Sequence, residues 1–137
     1  MPHIEQSDLP SKKASVIAED IARHFYATQF LPGAAIIVAS NPSLLLGLVR
    51  QNWLQRLSTL ERHHAEASLI AKMATMRFSQ FPEDERTADI FFIAPSQLGQ
   101  WLPPCHTAYV TCGLGQEELE KIQKCVAEDG LIVQYAH

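Results

Sequence analysis

The sequence predicts a single-domain α/β fold, a three-layer Rossmann-like sandwich with an open, mainly parallel sheet of about four to five strands and helices on both faces. Three observations carry this expectation. Ala34-Ala35-Ile36-Ile37-Val38-Ala39 is apolar throughout, too short for a helix and without alternation, as a strand covered on both faces requires. Ile90-Phe91-Phe92-Ile93 repeats that pattern with β-branched and aromatic residues. Around these runs, apolar residues recur three and four apart, the spacing of helices with one buried stripe.

Along the chain, residues 1–10 read as a flexible N-terminal segment and residues 11–137 as one domain. From Ser11 to Gln29, Ala14, Ile17, Ile21, Ala22, Phe25 and Tyr26 fall on one helical stripe, which Pro32-Gly33 ends. The strand Ala34–Ala39 then runs into Ser40-Asn41-Pro42-Ser43, where Asn41 suits a helix cap and Pro42 the first helical position. Leu45, Leu46, Val49, Trp53 and Leu57 continue at helical spacing, and Ser58 with Glu61 has capping-box form. The stretch therefore predicts two helices, over 43–57 and 59–74.

Met76 and Phe78 alternate with Arg77 and Ser79 as in a short half-exposed strand, before a solvated loop at Pro82–Arg86. Ala88–Ala94 is the second buried strand, closed by Pro95-Ser96, and a short helical turn fills Ser96–Trp101. His106–Cys112 predicts a third main strand, followed by a turn bracketed by Gly113 and Gly115. Glu117–Glu128 predicts a helix stopped at Asp129-Gly130, and Leu131–Tyr135 a last strand.

At 137 residues the chain is long enough to bury roughly 68% of the surface its unfolded form exposes, so no disulfide framework is needed. Three cysteines, an odd number, point to free thiols and a cytoplasmic location. The net charge is −4 and the eleven lysines and arginines are scattered, which disfavours nucleic acid as a direct partner. No apolar run approaches the ~20 residues of a membrane span.

Each candidate chemistry lacks a partner in the sequence. Cys105, His106 and Cys112 are the nearest metal-like cluster, but on a strand rising ~3.3 Å per residue the two cysteines lie roughly 23 Å apart. Glu61, His63, His64 and Glu66 contain one Glu-x-x-His spacing, where a paired-metal bundle needs two, and read as a solvated helix face. Cys112 stands at the carboxyl end of a strand beside Gly113, the place of a nucleophile, with no base brought to it by any motif. Gly113-Leu114-Gly115 is half of a dinucleotide fingerprint, yet Glu117 and Glu118 occupy the helix start where a phosphate would sit. The acidic run Glu83-Asp84-Glu85 beside Arg86 reads as a surface turn rather than a catalytic acid–base pair.

The run from Ile17 through Leu57 is similar in hydrophobic pattern to the opening of the chi accessory subunit of bacterial DNA polymerase III, and to many α/β domains without glycine-rich loops. No motif backs that likeness, so it carries over no residue.

These observations lead to a small non-catalytic cytoplasmic module acting by protein–protein interaction, as adaptor, accessory subunit or regulator, with a protein partner or a second copy of itself and neither cofactor nor metal. Its contact patch would be Leu98, Trp101 and Leu102, since Trp101 has no helical stripe to absorb it. The alternative is a small-molecule or nucleotide-binding domain, with scope for enzymatic activity, whose pocket lies at the carboxyl ends of the strands: Ser40, Asn41, Pro95, Ser96, Cys112 and Gly113.

Overall fold

A computed structural model describes residues 2–27, 33–56, 64–70, 73–79, 87–99 and 102–136. The elements are β1 (His3–Pro10), α1 (Ala14–Ala27), β2 (Gly33–Val38), α2 (Pro42–Arg56), β3 (His64–Ile70), β4 (Met73–Ser79), β5 (Thr87–Ile93), β6 (Cys105–Val110), α3 (Gln116–Cys125) and β7 (Val126–Ala136). A 3-10 turn at Pro95–Gln97 follows β5. Seven strands form one sheet in the order β1-β7-β6-β2-β5-β4-β3. The five from β1 to β5 along that order are mutually parallel, and the β3–β4 pair extends them antiparallel beyond β5. The expected α/β sandwich is therefore present, with its parallel part at the expected size.

Why the central strands carry no alternation is visible in their neighbours. Ile36 and Ile37 are both fully buried, yet they belong to different cores. Successive strand residues point to opposite faces, so a strand covered on both sides must be apolar at every position. On one face Ile37, Phe92, Tyr109 and Val133 pack with Ile17 and Ile21 of α1 and Leu45 and Val49 of α2. On the other, Ile36, Phe91, Val110 and Ile132 pack with Ile122 of α3 and with Leu98. Burying each isoleucine in this way contributes about 1.5–3 kcal/mol.

The sequence reading departs from the structure at three places. Residues 64–70 and 73–79 form an antiparallel pair, with Glu66 opposite Arg77 and Ala67 opposite Met76, where a helix over 59–74 is expected. The polar residues His64, Glu66 and Ser68 alternate with Ala65, Ala67 and Leu69, a period of two that the helix-favouring alanines mask. The capping pair Ser58 and Glu61 lies outside the described residues, as do His63, Trp101 and the Pro82–Arg86 loop.

Residues 3–10, expected to be loose, form edge strand β1, which pairs in parallel with β7 from His3 opposite Leu131 to Ser7 opposite Tyr135. Its polar composition suits an edge, where one flank faces water and charges discourage further pairing. The third departure is at the end of α3. That helix stops at Cys125, three residues short of the expected boundary, and β7 begins at once. Between Cys105 opposite Val126 and Thr107 opposite Leu131 the β6–β7 register shifts, so residues 127–130 bulge out of the ladder.

Gly130 in that bulge has no room for a side chain. A Cβ there would stand 2.4 Å from the His106 carbonyl oxygen, 2.7 Å from Val126 Cγ1 and 2.9 Å from the Ala127 carbonyl oxygen. Two of these neighbours are backbone and cannot rotate away. Gly130→Ala is expected to destabilise the fold by about 1–3 kcal/mol, read as a lower urea midpoint at unchanged slope; an unchanged midpoint would refute this reading of the bulge.

Candidate ligand site at the carboxyl edge of the sheet

Three neighbouring strands, β6, β2 and β5, end side by side, and the chain leaves them in opposite directions. From β2 it passes to α2 on the face shared with α1. After β5 and β6 it passes to Leu98 and to α3 on the other face. A crevice opens where adjacent strands send their connections to opposite sides, which is where open α/β sheets receive ligands. Ser40 and Asn41 follow β2, Pro95 and Ser96 follow β5, and Cys112 and Gly113 follow β6. The fold thus draws these six residues, spread over more than half the sequence, to the ends of three adjacent strands. Ser40, Asn41, Ser96 and Gly113 are exposed, while Pro95 and Cys112 are half-buried.

Hydrogen bonds hold this edge in place. The Ala39 amide donates to the Ile93 carbonyl at 2.9 Å, continuing the β2–β5 ladder by one residue. On the other flank the Val38 carbonyl accepts both the Thr111 amide at 2.9 Å and the Thr111 hydroxyl at 2.8 Å. Thr111 is buried, and the hydrogen bond to Val38 satisfies its hydroxyl where water is excluded. Sequence reasoning passed over it because nothing local marks a threonine whose acceptor lies 73 residues away.

Asn41 Oδ1 accepts the Leu44 amide at 3.3 Å, so it caps α2, and Pro42 opens the helix as expected. After β5, Gln97 folds back: its Oε1 accepts the Ala94 amide at 2.8 Å and its own amide donates to the Ala94 carbonyl at 2.9 Å. After β6, Glu118 Oε1 accepts the Gly115 amide at 3.1 Å. With Glu117 and Glu118 in its first turn, α3 meets its dipole with its own carboxylates, and its start repels an anion.

The cysteines divide by surroundings. Burial, then the negative charge of Glu118, pushes the Cys112 thiol up, which makes it a poor nucleophile at neutral pH. Cys105 and Cys125 act on each other across the start of β6 and the end of α3, and the Cys125 thiol donates to the Ile122 carbonyl at 3.1 Å. In that pair Cys105 keeps its proton, because the Cys125 thiol stands beside it and it is itself buried. The Cys125 thiol is lowered by Cys105 beside it, with partial burial opposing.

Of the expected contact patch, Trp101 lies outside the described residues. Leu98 is only 3% exposed, inside the core beneath α3, and Leu102 packs partly buried against the same core. Among the described residues no helix is long and apolar enough to cross a membrane.

No protein-family model matches this chain, and no curated protein does. Solved structures do share its fold. The large terminase of a thermophilic bacteriophage superimposes with a TM-score of 0.56 at 9% identity, over 98% of this chain and 33% of that one. The ATPase domain of the Thermus phage P74-26 large terminase superimposes with a TM-score of 0.58 at 8% identity, over 97% of this chain and 59% of that domain. This chain therefore spans about a third of the first protein and three-fifths of the second domain. At such identities the likeness shows the α/β fold. It also corrects the expectation of a non-catalytic interaction module, since the fold is shared with a domain named for ATPase activity.

The thiol environments order the cysteines by reactivity. Iodoacetamide at pH 7.5, followed by peptide mass spectrometry, is expected to modify Cys125 first, Cys112 more slowly and Cys105 last. Cys105→Ala removes the thiol that lowers Cys125 and is expected to slow Cys125 alkylation severalfold; an unchanged rate would show that this neighbour does not set its reactivity.

Proposed function

We propose that this chain is a ligand-binding α/β domain that holds a nucleotide, or a small molecule resembling one, in the crevice outside the carboxyl ends of β2, β5 and β6. The observation that carries the reading is the opposed exit of the chain from these adjacent strands, in a fold shared with a terminase ATPase domain. Ser40 and Asn41 would meet the ligand from β2, Pro95 and Ser96 from β5, and Cys112 and Gly113 from β6. These groups are neutral, and they recognise by hydrogen bonding rather than by charge.

The turn from β2 into α2 limits what such a site does. A phosphate-binding loop of the Gly-x-x-x-x-Gly-Lys-Ser/Thr type needs glycines for close backbone approach and a lysine for the terminal phosphates. Ser40-Asn41-Pro42-Ser43 has neither, and Pro42 removes one amide from the helix start. The reading is accordingly one of binding, with phosphate held by serine and asparagine side chains and the remaining amides of α2. Three free cysteines accord with a cytoplasmic setting.

Calorimetric titration of the full chain with ATP, adenosine and pyrophosphate separately tests the proposal. Saturable binding of at least ATP is expected. Asn41→Asp retains an oxygen to cap α2 but places a negative charge where phosphate would approach, so affinity for ATP is expected to fall at least about tenfold, or about 1.4 kcal/mol, with little change in unfolding midpoint. Gly113→Val is expected to weaken binding of all three probes that bind. Absence of saturable binding by ATP and adenosine alike would overturn the reading.

A further inference from the structure

A cavity of about 360 Å³ lies between α1 and the strands β1, β7 and β6, and its lining shares no residue with the carboxyl-edge set. Elsewhere α1 meets the sheet with Ile17, Ala18, Ile21 and Ala22. Here it contributes Asp20, Arg23 and His24, and the strands answer with Glu5, Tyr109 and Tyr135. Titratable side chains from four elements thus converge within a layer that is otherwise apolar.

The two tyrosines form the inner wall, 2% and 5% exposed, and each is tied to α1. Tyr135 donates its hydroxyl to Asp20 Oδ2 at 2.8 Å. The Tyr109 hydroxyl and His24 Nδ1 share a hydrogen bond, and their rings meet edge to face at 87° with centroids 5.6 Å apart. These bonds offset the cost of burying the hydroxyls. They also orient the cavity electrostatically. The Asp20 and Glu5 carboxylates act on both tyrosines: beyond burial, they push the Tyr109 and Tyr135 hydroxyls away from ionisation. The lining cation, Arg23, extends to Glu19 at 4.0 Å, with its side chain 60% exposed, and so holds its charge at the rim.

The wall is therefore rich in hydrogen-bond acceptors, carries two carboxylates to one arginine, and is lined by two tyrosines. Ammonium and guanidinium groups match all three properties, because they are all donor, they carry positive charge, and they are attracted to ring faces. We propose that this cavity binds a small organic cation, a primary ammonium or guanidinium compound, with Asp20 and Glu5 as its anionic partners and Tyr109 and Tyr135 as its walls. The volume is at the low end for ligand pockets and fits a compact amine.

The test uses the full chain and agmatine, which carries an ammonium at one end and a guanidinium at the other. Amide resonances are followed in ¹⁵N-NMR titrations, beside succinate as an anion of similar length and sodium chloride at matched ionic strength. Saturable shifts are expected for residues 20–24 and near Tyr135, with a dissociation constant below about 10 mM. Asp20→Asn, which keeps an acceptor for Tyr135, is expected to weaken agmatine at least about tenfold, and Arg23→Gln to strengthen it. Glu5→Gln, on the exposed edge strand, is a second variant that leaves the core intact and is expected to weaken binding severalfold. Asn41→Asp, at the other site, is expected to leave agmatine binding unchanged. No saturable response, a response equalled by sodium chloride, saturation by succinate instead, or full affinity in both Asp20→Asn and Glu5→Gln would overturn the proposal.

Discussion

Ile36 and Ile37 are neighbours in sequence, fully buried, and members of different cores, because a strand sends successive side chains to opposite faces. That double burial of β2 is the constraint from which the rest of the architecture follows. A strand with no polar face cannot sit at an edge, so it needs a strand on each flank and a helix layer on each side. β5 and β6 supply the flanks, α1 and α2 one layer, and α3 with Leu98 the other.

The layout of the carboxyl edge follows from that arrangement. β2 exits toward one layer and its two neighbours toward the other, so the residues just past the three strands stand side by side where the chain parts. The edge is fixed by backbone bonding and by Thr111, whose amide and hydroxyl both close on the Val38 carbonyl. Rigid placement of loops on strand ends is what lets short polar residues act as a recognition surface. The fold shared with terminase structures at 8–9% identity shows that the scaffold depends on burial pattern, while a site depends on a few local residues.

Local signals account for what was legible in the sequence. The unbroken apolar runs 34–39 and 90–94 announce buried parallel strands, Asn41-Pro42 announces a helix start, and the acidic pair Glu117-Glu118 announces another. Where the outcome turned on a partner strand, local signals failed. The alanines of 64–70 favour a helix, and pairing with 73–79 overrides them. Residues 3–10 are too polar to declare a strand, and they form one because β7 offers an unpaired edge.

By itself the chain determined its class, its central strands and the residues that terminate them, since each of these rests on contacts between near neighbours or on a burial pattern written along a single segment. Tertiary structure alone decided that Ser40, Ser96 and Cys112 end at adjacent strands, that Leu98 lies in the core, and that Asp20 meets Tyr135 and His24 meets Tyr109 across 115 and 85 residues of sequence. The reason is physical: strand order and helix placement minimise exposed apolar surface over the whole chain at once, and no short window of sequence records that sum.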